Sequence, residues 1–224
     1  MKMRALLGFG TIVASLVAAG CGSDDGAADT WTITSPAFAD GAALPASATC
    51  DGRAFGEGSS PELNWTAGPE GTKSYAIVFK DLTILAANDP ASLDHAYHWA
   101  IWDIPAGTHK LSASLGSSEF LADVGNARQW SSVHPYGYLG SCPNPIPGGA
   151  AAPVTDNYSF TLYAIGVPIL AYPADPVAGD NYVRPLDDYL LTANIGKIEL
   201  HAKSGAVATD FTPPDPPPGP SARP

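Results

Sequence analysis

The chain has little positive charge. Its 224 residues include 11 Lys and Arg against 22 Asp and Glu, which gives a net charge of −11 at neutral pH. Nucleic-acid binding needs clustered Lys and Arg, and the basic residues here are scattered, so we predict no nucleic-acid partner. Charged residues make up only 15 % of the chain and aromatic residues 9 %, a balance that excludes disorder over most of its length.

Long uninterrupted helical stretches are also lacking. The chain contains 23 Gly and 22 Pro, residues that interrupt helices. This number is too high for a helical bundle and is typical of short strands joined by turns. The length suits one domain that is large enough to bury a core.

Motifs of catalysis are absent from the sequence. There is no Gly-x-Ser-x-Gly elbow, and Ser141-Cys142 lies in a Pro- and Gly-rich loop rather than at a strand-to-helix turn. Asp187 and Asp188 fall in the first turn of a predicted helix, where solvation and the helix dipole explain them. We therefore predict that the protein is not an enzyme and carries no cofactor.

The uncharged run of residues 5–20 follows Lys2 and Arg4 at the N-terminus. It is too short to span a bilayer as a mature helix and is typical of a cleaved signal peptide. The run ends in Val17-Ala18-Ala19-Gly20-Cys21, which resembles the lipobox of bacterial lipoproteins, although Ala18 stands where Leu is usual.

This resemblance predicts a signal peptide over residues 1–20, a lipid-modified Cys21 and a flexible polar tether over residues 21–30. We expect a protein anchored in the bacterial cell envelope. Gly22-Ser23 lacks the aspartate that retains many lipoproteins at the inner membrane, which favours the outer membrane. The alternative is an ordinary secretory signal that leaves Cys21 as a free thiol.

Only three cysteines are present. If Cys21 carries lipid, Cys50 and Cys142 remain, and an even pair in an exported chain is a disulfide candidate. Two separate buried thiols are the alternative.

Hydrophobic patterning predicts a β-rich domain over residues 31–211, followed by a disordered Pro-rich tail over 212–224. Between the strands, residues 81–96 and 125–156 are predicted to be long irregular loops. Alternating or continuous apolar runs predict strands over residues 31–35, 75–80, 97–104, 157–165 and 196–202. A helix is predicted over residues 184–193, with Leu186, Leu190 and Leu191 on one face.

Six short motifs occur in a fixed order along the chain: Cys50-Asp51-Gly52, Ser60-Pro-Glu-Leu-Asn-Trp65, Asp81, His98-Trp99, Tyr138-Leu-Gly-Ser-Cys-Pro143 and Tyr158-Ser-Phe-Thr-Leu-Tyr-Ala164. In this order and spacing they resemble the phosphatidylethanolamine-binding protein (PEBP) family, especially its bacterial Raf-kinase-inhibitor-like branch. The resemblance covers about residues 32–205. It implies a mainly β fold of two packed antiparallel sheets, with a short C-terminal helix and long ligand-site loops.

The resemblance also implies a pocket for an anionic group, such as the phosphate of a phospholipid head group. The residues that match the pocket motifs are Asp81, His98, Tyr138, Gly140, Pro143 and Tyr158. We further predict that Asp81 and His98 lie within hydrogen-bonding reach, directly or through one water, so that the carboxylate orients the ring.

The pattern departs from the family at three points. Leu82-Thr-Ile-Leu85 replaces the residues that follow the family's leading aspartate, Asn144 replaces a proline, and Asp156 replaces a histidine. A carboxylate beside a phosphate costs binding unless it is protonated or paired, so a neutral or cationic ligand is as compatible with these residues as phosphate.

Two functions therefore stay open. The first is a binding protein for a small polar or anionic ligand. The second is a protein-interaction or inhibitor module, of the kinase- or protease-inhibitor kind, with a degenerate pocket. A metal site at His95, His98, His134 and Asp81 is the less favoured reading, because residues three apart on a strand point to opposite faces. We predict no metal.

Overall fold

The computed structural model describes residues 30–132, 136–146, 153–172 and 182–211. The predicted signal peptide, the lipidation site Cys21, the Pro-rich tail and His134 lie outside these residues. The described residues form nine strands and two helices, in the order β1 (Ile33–Thr34), β2 (Leu63–Trp65), β3 (Ser74–Asp81), α1 (Leu82–Ala87), β4 (Tyr97–Pro105), β5 (Lys110–Leu111), β6 (Phe120–Leu121), β7 (Ala127–Ser131), β8 (Asp156–Ile165), α2 (Val183–Ala193) and β9 (Asn194–Ser204).

The strands form two antiparallel sheets. The larger has the order β6-β7-β4-β3-β8-β9, and the smaller has the order β1-β2-β5. The predicted fold class, mainly β with two antiparallel sheets and a short C-terminal helix before the last strand, is confirmed.

The central strands of the large sheet are buried on both faces, which explains their apolar runs. Along β3, Tyr75, Ile77 and Phe79 pack in the core shared with the small sheet. The alternate residues Ala76 and Val78 pack in a second core, which includes side chains of α2. Because successive side chains of a strand point to opposite faces, one strand contributes residues to both cores. An unpaired polar side chain on either face would lower the stability of the fold.

Helix α2 begins at Val183, before the predicted start, and this corrects two expectations. Leu191 is 48 % exposed rather than on the buried face with Leu186 and Leu190. Asp187, expected to be solvated at the helix start, is buried: its carboxylate lies 3.0 Å from the Lys80 Nζ atom of β3 and accepts a hydrogen bond from the Tyr163 hydroxyl at 2.7 Å.

The two segments predicted to be irregular both contain regular structure. Residues 81–96 include α1 and a 3-10 turn over Leu93–Ala96, and residues 125–156 include β7. Strand β7 forms because it pairs with β4, while α1 is capped by the side chain of Asp81. Within the described part of the chain, no helix has both the length and the hydropathy needed to cross a membrane.

Candidate functional site

Three of the predicted site residues meet at one end of the large sheet. Asp81 is the last residue of β3, His98 is the second residue of β4, and Tyr158 is the third of β8. Because both neighbours run antiparallel to β3, the end of β3 lies beside the beginnings of β4 and β8, and Asp81 pairs directly with Tyr158.

Phe79 joins these residues to the loop that carries Tyr138. Its ring centroid lies 5.3 Å from that of His98, 5.3 Å from that of Tyr138 and 5.5 Å from that of Tyr158. The structure therefore brings His98, Tyr138 and Tyr158 around one buried phenyl ring, as neighbours in a single aromatic cluster.

The Asp81 carboxylate holds the start of α1. Its Oδ1 atom accepts hydrogen bonds from the backbone N–H groups of Thr83, at 2.8 Å, and Ile84, at 3.0 Å. The Tyr158 hydroxyl donates to the same carboxylate. Burial, together with the nearby charge of Asp156, raises the pKa of Asp81 to about 6, although these donors oppose the shift.

Asp156 is a second acid near Asp81, two residues before the strand partner Tyr158. Burial raises the pKa of Asp156, and interactions with the Asp81 and Thr83 side chains oppose this shift. Neither carboxyl group forms an ion pair with a cation of the described residues. Asp156, at the position where the resemblance implies a histidine, thus adds a second acid at this end of the sheet, and its charge disfavours ionisation of Asp81.

His98 is enclosed and neutral. Its side chain is part of a residue only 7 % exposed, and its Nδ1 atom is buried without a hydrogen-bond partner. Burial lowers the pKa of His98 to about 4, although an interaction with the Gly140 backbone opposes this shift. The Asp81–His98 hydrogen bond expected from the sequence is not among the contacts of the described residues: both side chains contact Tyr158 instead.

Tyr138 and Gly140 have structural partners of their own. The Tyr138 hydroxyl donates to the Ala48 carbonyl at 3.1 Å, and its ring is buried. A Cβ atom on Gly140 would lie 2.3 Å from the Glu57 carbonyl oxygen, so only glycine fits here. The Gly140 backbone, expected to face a ligand, is packed closely against the segment before Ser60.

Pro143 is half-buried beside a disulfide between Cys50 and Cys142, whose Cα atoms are 5.4 Å apart. This bridge, a candidate from the cysteine count, joins the loop that carries Gly140 to the loop that carries Cys50. The next residue, Asn144, binds the C-terminal segment (residues 203–210): its Nδ2 atom donates to the Ala206 carbonyl at 3.1 Å. The segment also pairs with Ala43 and Ala54.

A cleft of about 760 Å³ opens on the other side of Tyr138. Its walls come from Arg53, residues 56–60, residues 114–117 and residues 136–138. Asp81, His98 and Tyr158 do not line it. Tyr138 was predicted as a residue of the anion pocket, and nothing in the sequence marked the serines of this cleft.

The described residues contain no group of three or more His, Cys, Asp or Glu side chains arranged to hold a metal ion. His95 is exposed on the 3-10 turn before β4, whereas His98 lies within β4. The two histidines are therefore in different environments.

Comparison with known proteins agrees with the family that the sequence motifs resemble. The sequence profile of the phosphatidylethanolamine-binding protein family matches residues 34–184. The chain belongs to the PEBP family. This match spans β1 to the start of α2 and includes Asp81, His98 and Tyr158.

Individual relatives support the assignment. A UPF0098 protein of Aquifex aeolicus is 30 % identical over 142 residues, which cover 63 % of this chain and 71 % of that protein. A Mycobacterium tuberculosis protein named as a candidate lipoprotein, LppC, is 32 % identical over 142 residues, covering 63 % of this chain and 58 % of that protein. The crystal structure of Escherichia coli YbcL, described as a member of the mammalian PEBP family, matches with a TM-score of 0.54 at 24 % identity, covering 77 % of this chain and 96 % of YbcL.

The site of this PEBP-family protein differs from the expectation in its electrostatics. The sequence predicted Asp81, His98 and Tyr158 as neighbours but not the Asp81–Asp156 pair, because Asp156 was considered only as the replacement of a histidine. A usable indication was present: β3 ends at Asp81, and an antiparallel partner strand beginning at Asp156 places a second acid at the same end.

Proposed function

We propose that this PEBP-family protein binds a small polar ligand at the acid–imidazole site (Asp81, Asp156, His98 and Tyr158), and that the group it binds most tightly is a neutral or cationic hydrogen-bond donor such as an amine. It acts by binding and not by catalysis. The observation that carries the proposal is the enclosed His98 Nδ1 atom without a partner, in a ring that packs against Tyr158, the strand partner of Asp81.

A buried polar atom without a partner costs about 1–3 kcal/mol, so such atoms are rare unless water or a ligand satisfies them. With a pKa of about 4, His98 is neutral at physiological pH. A neutral imidazole has one acceptor nitrogen. Nδ1 is the ring nitrogen without a partner, so it is the atom that we propose accepts from a ligand donor.

The two carboxyl groups determine which ligand charge the site favours. A phosphate placed beside Asp81 and Asp156 meets one or two negative charges, and its only compensation is a neutral histidine and a tyrosine that already donates to Asp81. An ammonium group meets the opposite sign and supplies the donors that these acceptors lack. A head group with a free amine suits the site better than its phosphate.

Thermal unfolding in the presence of ethanolamine, phosphoethanolamine or inorganic phosphate tests the proposal. Ethanolamine should raise the melting temperature by a few degrees, inorganic phosphate should not, and the ethanolamine effect should grow above pH 6 as Asp81 ionises. His98→Ala should abolish the shift, while His95→Ala, an exposed histidine three residues away, should retain it. A shift with phosphate that equals or exceeds that with ethanolamine, or one that survives His98→Ala, would contradict the proposal.

A second candidate function, a protein-interaction or inhibitor module, is favoured by the closure of the site. His98 is 7 % exposed, and Tyr138 and Gly140 are engaged within the fold. If none of the three compounds shifts the melting temperature of the wild-type protein, this second function becomes the better explanation.

For localisation, we propose that Cys21 carries lipid and anchors the protein in the cell envelope, with the outer membrane preferred. The lipobox-like sequence and the mycobacterial relative named as a candidate lipoprotein support this proposal. Cys21→Ala should move the protein from the membrane pellet to the soluble fraction. Membrane association that persists in this variant would contradict lipid anchoring.

A further inference from the structure

We infer that the cleft beyond Tyr138 is a second binding site, and that it takes a neutral, hydroxyl-rich ligand, a short saccharide. The cleft is separate from the acid–imidazole site. Tyr138 lies between them, with its ring against Phe79 and its hydroxyl on the Ala48 carbonyl, and it is the one residue of the aromatic cluster that also lines the cleft.

The walls of the cleft are fixed to one another. The Ser60 carbonyl accepts from the Ser114 N–H at 2.8 Å, and the Ser60 hydroxyl accepts from the Leu115 N–H at 2.9 Å. Gly137 lies so close to Ser117 that an added Cβ would be 3.3 Å from the Ser117 Cα atom. A cleft whose walls are already joined needs little ordering when a ligand binds.

The lining is polar and balanced in charge. Four serines and four glycines supply hydroxyl and backbone groups, and Arg53 and Glu57 are the only charged residues among the described lining. The Arg53 Nη1 atom is held in place by the carbonyls of Ala46, at 2.6 Å, and Thr49, at 3.3 Å. Hydroxyls both donate and accept, so the partner that satisfies this wall must carry closely spaced donors and acceptors and no net charge.

Other ligand classes fit less well. An apolar ligand would leave the serines and backbone groups unpaired, and an anion would meet Glu57 on a protein of net charge −11. One common way to bind a peptide is to add it as a strand to a sheet edge, but the segments that line this cleft lie outside the strands. Tyr136 is half-exposed and packs on Trp130 at 5.2 Å, which gives the cleft one aromatic surface for the apolar face of a sugar ring.

The glycines of the chain provide a clean test. An added Cβ at Gly116, on the cleft wall, or at Gly107, in the turn after β4, would meet no atom within 4 Å, and neither glycine has a positive φ. A large side chain can therefore be placed at either position without backbone strain. Gly116→Trp fills the cleft, and Gly107→Trp is the matched control.

The full chain, labelled with ¹⁵N-glycine in a detergent that has no sugar head group, is titrated with maltotriose, cellotriose and triacetylchitotriose. At least one should shift the amide signals of Gly56, Gly58, Gly116 and Gly137 with millimolar affinity, while the signal of Gly71 stays constant. Gly116→Trp should weaken this binding by about tenfold or more, and Gly107→Trp should leave it unchanged.

Three outcomes would overturn the inference: no glycine shifts with any of the three sugars, equal affinity in Gly116→Trp and the wild-type protein, or the same glycines shifted by a peptide such as trialanine and not by a sugar. The result is independent of the amine site. His98→Ala should leave sugar binding intact, and Gly116→Trp should leave the ethanolamine effect intact.

Discussion

Asp81 and His98 have pKa values that burial moves in opposite directions. The pKa of Asp81 rises from 3.8 to about 6, so its stabilising contribution is complete below 3.8 and is lost as the pH rises through 6. The pKa of His98 falls from 6.5 to about 4, so its contribution is complete above 6.5 and is lost as the pH falls through 4. Between pH 4 and 6 the two effects oppose each other.

Removing one of the two groups should therefore reveal how the other makes stability depend on pH. In Asp81→Asn, the free energy of unfolding should rise with pH between 4 and 6.5 more steeply than in the wild-type protein, with a difference of about 2–3 kcal/mol across that range. His98→Gln should change the slope in the opposite direction. Urea unfolding at several pH values measures both. Parallel pH profiles for the wild-type protein and Asp81→Asn would show that folding does not raise the pKa of Asp81.

Lys80 and Asp187 form a buried ion pair that Lys80 alone could have predicted. Lys80 is the charged residue of an otherwise apolar run, and a buried lysine needs an acid within reach. That acid is Asp187 on α2, which also accepts from Tyr163. The sequence contained this indication, but the helix was expected to begin one residue too late, and Asp187 was assigned to its solvated end.

Breaking this buried pair should be more costly than replacing both of its members. Lys80→Met leaves the Asp187 carboxylate buried with only the Tyr163 hydroxyl, and should lower the free energy of unfolding by about 3–5 kcal/mol. The double variant Lys80→Met/Asp187→Leu should be less destabilised than either single variant. Equilibrium urea unfolding gives the comparison, and strictly additive losses would argue against a coupled pair.

At the scale of elements, the central strands were predictable and the short segments were not. Strands β3, β4 and β8 carry long apolar runs, which their burial on two faces requires. In contrast, β5 and β6 have two residues each, too few for any periodic pattern. Helix α1 was missed because Leu82-Thr-Ile-Leu85 has no polar face, although Asp81 before it is a favourable N-cap.

Helix α1 is attached to β8 by a specific hydrogen bond. The Thr83 hydroxyl accepts from the Asn157 N–H at 2.9 Å and also contacts the Asp156 carboxyl group. Thr83→Val should cost about 0.5–1 kcal/mol of stability and increase hydrogen exchange at the Asn157 amide, while Thr83→Ser, which keeps the hydroxyl, should not. Equal exchange in the two variants would mean that the hydroxyl does not hold this junction.

For the whole molecule, the disulfide is the main covalent constraint between distant parts of the fold. Cys50 and Cys142 are 92 residues apart in sequence. In the chain-entropy treatment a loop of this length contributes about 4–5 kcal/mol. Cys50→Ser/Cys142→Ser should lose a stability of this order, measured by urea unfolding, and a reductant should have no effect on the double variant. A loss below about 1 kcal/mol would show that the native contacts of the two loops hold without the bridge.

The C-terminal segment sets the order in which the molecule can be completed. A polypeptide emerges N-terminus first, whether from a ribosome or through a membrane channel, and residues 203–210 are among the last of the domain to arrive. Yet this segment supplies backbone partners for Ala43, Ala54 and Asn144, which were made long before. Domains tend to fold as units once their chain is complete. The loops that contain Ala43, Ala54 and Asn144 therefore lack these backbone partners until almost the whole domain has emerged. Until then they remain accessible to proteases and chaperones.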